Sequence, residues 1–113
     1  MKKKIFFSYA LRDKNINMSF LIELRNWVLH QGYDCYIDFL DNDYNENGFQ
    51  KQLIRMLKTC DVFFRIDSEE YLASKWAKKE LEEAEANNIQ IVSLSSEQLQ
   101  KAMLNNGSIA EYL

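Results

Sequence analysis

Trp76 and Glu80 stand four residues apart in the stretch Ser74-Lys75-Trp76-Ala77-Lys78-Lys79-Glu80. On a helix that spacing puts them on one face. A carboxylate held beside an aromatic wall can stabilise a developing cation or attack it as a nucleophile. The plainer reading makes Glu80 one more acid on a wet helix that also carries Glu82, Glu83 and Glu85. Glu80 falls on the Trp76 side, not with Glu82 and Glu83. That placement leaves both readings open, a candidate reacting group and an acid on a solvated face.

The elements around this corner must hold it at one rim. Lys3 to Tyr9 reads as a short strand with an apolar middle, Ile5-Phe6-Phe7. A continuous apolar run suits a strand covered on both sides. Phe20, Leu21, Leu24, Trp27, Val28 and Leu29 recur at helical spacing, which predicts a helix over 17–31. Gly32 ends it. Tyr33 to Asp38 is a second strand, and 39–48 is a polar, acidic loop of some length. Long loops in small domains are more often functional than decorative. Phe49 to Lys58 predicts a second helix, with Arg55 and Lys58 in its last turn. A third strand covers Asp61 to Ile66 and a third helix Trp76 to Asn87. A fourth strand follows from Ile89 to Leu94. Ser95 or Ser96 should cap a last helix ending at Leu104. The tail from Ser108 reads equally as an edge strand or as coil. Arg65 sits where a buried strand should be apolar, so an acid such as Glu69 or Glu70 is expected to pair with it; Asp67 is also near.

Alternation of strand and helix implies one parallel sheet with helices on both faces. Such sheets bind ligands beyond the carboxyl ends of their strands, where the strand order switches. The segments after Tyr9, after Asp38 and from Ser68 to Glu80 should meet there.

Bulk properties narrow the function. The chain has 113 residues, 47% hydrophobic and 27% charged, which suits one domain over 1–113. A net charge of −3 argues against nucleic acid as a partner. No apolar run suits a membrane span, and Ile5-Phe6-Phe7 is too short for a signal-peptide core, so a cytoplasmic location is expected. Cys35, Cys60 and His30 lie far apart and make a poor metal set; the cysteines read as buried thiols. His30 suits the end of the first helix, and Trp27 its core.

Three boxes of residues resemble the Toll/interleukin-1 receptor (TIR) domain family. Ile5-Phe6-Phe7-Ser8-Tyr9 with Asp13 is similar to its opening box. Gly32-Tyr33 and Tyr36-Ile37-Asp38 are similar to its second-strand pattern, and Gly48-Phe49 with Leu53-Ile54 to the end of its long loop. Ser68, Tyr71, Ser74, Trp76 and Glu80 are similar to the box after its third strand. The resemblance covers about Lys3 to Leu94. The sequence departs from the family at Arg65 and Asp67, in a strand that is usually apolar, and in having no proline in the long loop.

The resemblance implies a flavodoxin-like doubly wound sheet of four to five strands. It also implies an activity, because many TIR domains cleave nicotinamide from NAD+. Their catalytic glutamate matches Glu80. Ser8, Tyr9, Phe49, Ser68 and Trp76 would then bind the substrate, with no cofactor and no metal beyond NAD+ itself. For each of these a packing or turn role is the alternative, as turn cap or loop brace is for Asp38. The resemblance further implies self-association, or contact with other TIR domains, through the 39–48 loop. A small TIR chain suits antiphage defence or signalling. A non-catalytic assembly module is the competing implication. A phosphoacceptor receiver domain, also doubly wound, fits Ser8-Tyr9 and Asp67-Ser68 badly.

Overall fold

Ile5, Phe6 and Phe7 have no exposed surface, and the strand they form, β1 (Lys4–Ser8), runs through the middle of the sheet. A computed structural model describes residues 3–10, 15–37 and 55–113, except the side chain of Trp76. In it β1 pairs in parallel with β2 (Asp34–Ile37) on one side and β3 (Val62–Asp67) on the other. β4 (Gln90–Ser95) adds to β3, giving the order β2-β1-β3-β4. The order reverses between β1 and β3, so the rim at the ends of those two strands is the natural binding crevice.

Alternation along the strands sorts the core into two layers. Ile5, Phe7, Val62, Phe64 and Ile66 face α1 (Met18–His30) and Leu99. Phe6, Tyr36 and Phe63 face Leu57, in the described end of α2 (55–59), and Ala84 of α3 (Lys75–Ala86). Leu99 belongs to α4 (Ser96–Leu104). Helices therefore cover both faces, as right-handed crossovers on the two sides of a switch point require.

The caps explain where the helices begin and end. Asn17 accepts the Phe20 amide at 2.9 Å and starts α1. Gly32, at φ +86°, ends it in a conformation that side chains resist. Ser95 and Gln98 form a reciprocal capping box on α4. Leu29 departs from expectation: it is 42% exposed. It lies one residue, about 100° of helix turn, past the inward Val28.

The tail adds no strand. Ile109–Tyr112 is a 3-10 turn whose Ile109 is fully buried. Gln31 holds it from α1, accepting the Ile109 amide at 2.8 Å and donating to the Gly107 carbonyl at 3.2 Å. Trp27 donates its indole proton to the same carbonyl at 3.1 Å, so this half-buried tryptophan works as a strap as well as a core residue.

Cys60 is buried and Cys35 only half-buried, and the two form no disulfide. Burial pushes the Cys60 thiol up from 9.0 to about 12. Between those limits the unfolded chain has lost the proton and the folded chain keeps it, so stability falls as pH rises. The slope from one such group is about 1.4 kcal/mol per pH unit. Urea midpoints are expected to drop above pH ~9, and Cys60→Ala to make that drop shallower. An identical slope in the variant would remove Cys60 from the account.

Candidate active site

Ser8 ends β1 on the side that faces α3, in step with Phe6. Its hydroxyl is 1% exposed as a residue and has two partners. It lies 2.7 Å from the Tyr71 hydroxyl and donates to Glu80 Oε1 at 3.0 Å. Ser8 and Glu80 are 72 residues apart in the chain. The fold joins them because β1 lies beside β3 and α3 packs back over both.

Tyr71 stands in the turn between β3 and α3. Its amide donates to the Ser68 carbonyl, and the Ser74 amide donates to the carbonyls of Glu70 and Tyr71. Ser74 then caps α3 by accepting the Ala77 amide at 3.2 Å. Ala77 and Ala84 are fully buried and seat the helix, which leaves Glu80 half-buried at the rim. Glu82 and Glu85 are exposed. Burial raises the Tyr71 phenol well above its usual range, and the Glu80 and Asp67 carboxylates add to the rise. The Ser8 hydrogen bond and the Arg65 charge oppose it. The phenol therefore stays protonated and neutral at physiological pH.

Arg65 is the β3 residue in register with Ser8. Its guanidinium lies 4.5 Å from the centre of the Tyr71 ring. Its partner is Asp67, at 2.9 Å, the nearest in sequence of the three acids expected to pair with it. Residues 65 and 67 share a strand face, whereas 69 and 70 lie beyond the strand in the turn. Among the described residues, neither the buried Arg65 Nε nor the buried Ser68 hydroxyl has a hydrogen-bond partner.

The other expected site residues divide. Ser68 sits at the carboxyl end of β3, at the rim. Tyr9 is 8% exposed and belongs to the core layer with Ile16 and Phe20, on the α1 side of the sheet. Strand alternation sends it to the face opposite Ser8. Trp76 is in the first turn of α3, with its side chain outside the described residues. Phe49, Asp13, Asp38 and the 39–48 loop also lie outside them. Two participants had no site role in the sequence reading, Tyr71 and Arg65. Tyr71 was in the third box, and Arg65 was visible as a charge in an apolar strand.

This arrangement holds a carboxylate at the switch point by a buried hydroxyl. The TIR domain family matches residues 5–110, and the chain belongs to that family. The match extends beyond Leu94 to include α4 and the first half of the tail. Among solved structures, the CMP N-glycosidase BcmB of Clostridium botulinum is similar in fold. The TM-score is 0.62 over 93% of this chain and 83% of that one, at 18% identity. Comparison with curated protein sequences gives no match. Among the described residues no helix is long and apolar enough to cross a membrane.

Proposed function

We propose that this TIR domain is a nucleotide N-glycosidase that cleaves the nicotinamide–ribose bond of NAD+, with Glu80 as the catalytic carboxylate. The observation that carries the reading is the 3.0 Å bond from Ser8 to Glu80 at the rim of β1 and β3. Glycosidases usually need a second carboxyl group to protonate the leaving group. Nicotinamide needs none, because its ring nitrogen is already cationic and departs neutral. What remains is a cationic ribose. One carboxylate can stabilise it, hold a ribose hydroxyl or trap the sugar covalently. Water, another nucleophile or the adenine of the same molecule then takes the ribosyl group. The products are ADP-ribose, a conjugate or a cyclic ADP-ribose.

Ser8, Ser68 and Trp76, with Phe49, are the proposed substrate contacts; Tyr9, in the core layer on the face opposite Ser8, is not among them. Self-association through the 39–48 loop, a cytoplasmic location and a role in defence or signalling belong to the same proposal. A second reading takes its support from the fold shared with a CMP N-glycosidase, and has a pyrimidine nucleoside monophosphate as substrate. Cytosine is a poor leaving group unless protonated. Among the described residues, Tyr71 is fully buried and Asp67 is paired with Arg65, so neither is placed as that acid, which supports the cationic leaving group.

The test is chromatography of NAD+ and of CMP after incubation with concentrated protein, with and without a crowding agent. Nicotinamide release is the expected result. Cytosine release alone would transfer the assignment to the second reading. No base from either substrate under any condition would leave the assembly module as the function.

A further inference from the structure

We propose that Tyr71 and Ser8 form a directed hydrogen-bond relay, strengthened by Arg65 over the Tyr71 ring, that orients the Glu80 carboxylate for reaction. The proposal rests on Glu80 being the reacting group and adds what holds it there. None of the three is a conventional acid or base at this site. Tyr71 has no exposed surface, so it acts through Ser8 and is a positioning residue.

Counting protons sets the direction. An ionised carboxylate only accepts, so Ser8 spends its single proton on Glu80. The 2.7 Å bond between Ser8 and Tyr71 must then be donated by the phenol. The Ala77 carbonyl, at 3.5 Å from the same phenol, is a poor competitor for that proton. Tyr71 donates to Ser8, and Ser8 donates to Glu80. Each bond polarises the next.

Arg65 explains why the relay has strength. A guanidinium 79% withdrawn from solvent in an otherwise apolar strand carries a desolvation cost (its side chain is 21% exposed). It recovers part of that over the face of Tyr71. A cation there draws electron density from the ring and makes the phenol a better donor. Asp67 fixes the guanidinium in place at 2.9 Å.

The test uses the full chain and two independent readouts. Tyr71→Phe is expected to lower kcat for nicotinamide release about tenfold, the worth of one hydrogen bond to a charged chain, with KM within about twofold. Arg65→Met should lower kcat about threefold, and Arg65→Lys should restore most of it. Wild-type kcat in Tyr71→Phe would overturn the relay. The second readout needs no turnover. Tyrosine labelled with carbon-13 at Cζ reports the state of its hydroxyl, and Tyr71→Phe assigns its signal among the six tyrosines. Glu80→Gln is expected to move the Tyr71 signal, and Ser8→Ala to abolish that response. A signal indifferent to Glu80→Gln overturns the relay whatever the activity. A signal that moves in a protein releasing no base supports the relay and removes the proposed reaction.

Discussion

Glu80→Gln is expected to reduce nicotinamide release by about three orders of magnitude while leaving the fold intact. The amide is the same size as the carboxylate, and its oxygen can still accept the Ser8 proton now held at 3.0 Å. Only the negative charge is lost. In the proposed reaction that charge faces the cationic ribose, so its removal should appear in kcat more than in KM. Glu80→Asp keeps the charge but withdraws it by one methylene from Ser8. An intermediate rate is expected there, because position as well as charge sets the stabilisation.

Glu82→Gln and Glu85→Gln supply the controls. Both acids lie on the same helix and both are exposed. Each should keep wild-type rates, since neither is tied to the rim. Initial rates at saturating NAD+, with circular dichroism to verify folding, decide the matter. A Glu80→Gln enzyme with more than a tenth of wild-type kcat would remove this carboxylate from the reaction. Equal losses in all three variants would point to helix charge as a whole.

The layers of the fold were legible because apolar periodicity and capping chemistry agree along most of the chain. Asn17, Gly32 and Ser95 mark ends that the structure reproduces. Helical spacing separates Glu80 from its acidic neighbours, while its proposed role comes from the family resemblance. Of the acids near Arg65 in sequence, Asp67, Glu69 and Glu70, strand alternation selects Asp67. The partners that the sequence does not show lie far along the chain. Tyr71 carries a hydroxyl whose partner lies 63 residues away, so nothing local separates it from a packing aromatic. The tail depends on Gln31 and Trp27, which reach Gly107 across 76 and 80 residues. Tyr9 was grouped with Ser8 by adjacency, yet adjacent strand residues point to opposite faces.

Phe6→Ala is expected to be the most damaging single core change, and it tests whether the site depends on the layer beneath it. Phe6 is fully buried. Its ring stacks between Tyr36 at 5.3 Å and Phe63 at 5.6 Å, so it joins three adjacent strands on the α3 face. Truncating a phenylalanine in such a place costs about 3–5 kcal/mol in lost burial and residual cavity. A domain of this size holds only about 5–15 kcal/mol in total. The urea midpoint should fall by a large fraction, and the melting temperature by more than about 10 °C. Phe6→Leu refills most of the space and should recover more than half of the loss. Ser8 shares the strand face of Phe6, two residues on, with one peptide step of the opposite face between them. Collapse of β1 into the cavity would therefore displace the Ser8 hydroxyl from Glu80. Phe6→Ala should lose kcat at temperatures where circular dichroism still shows it folded, and Phe6→Leu should keep it. Loss of stability without loss of kcat would mean that Ser8 is held by Tyr71 and the sheet register alone. A cost below about 1 kcal/mol would contradict the stacked arrangement itself.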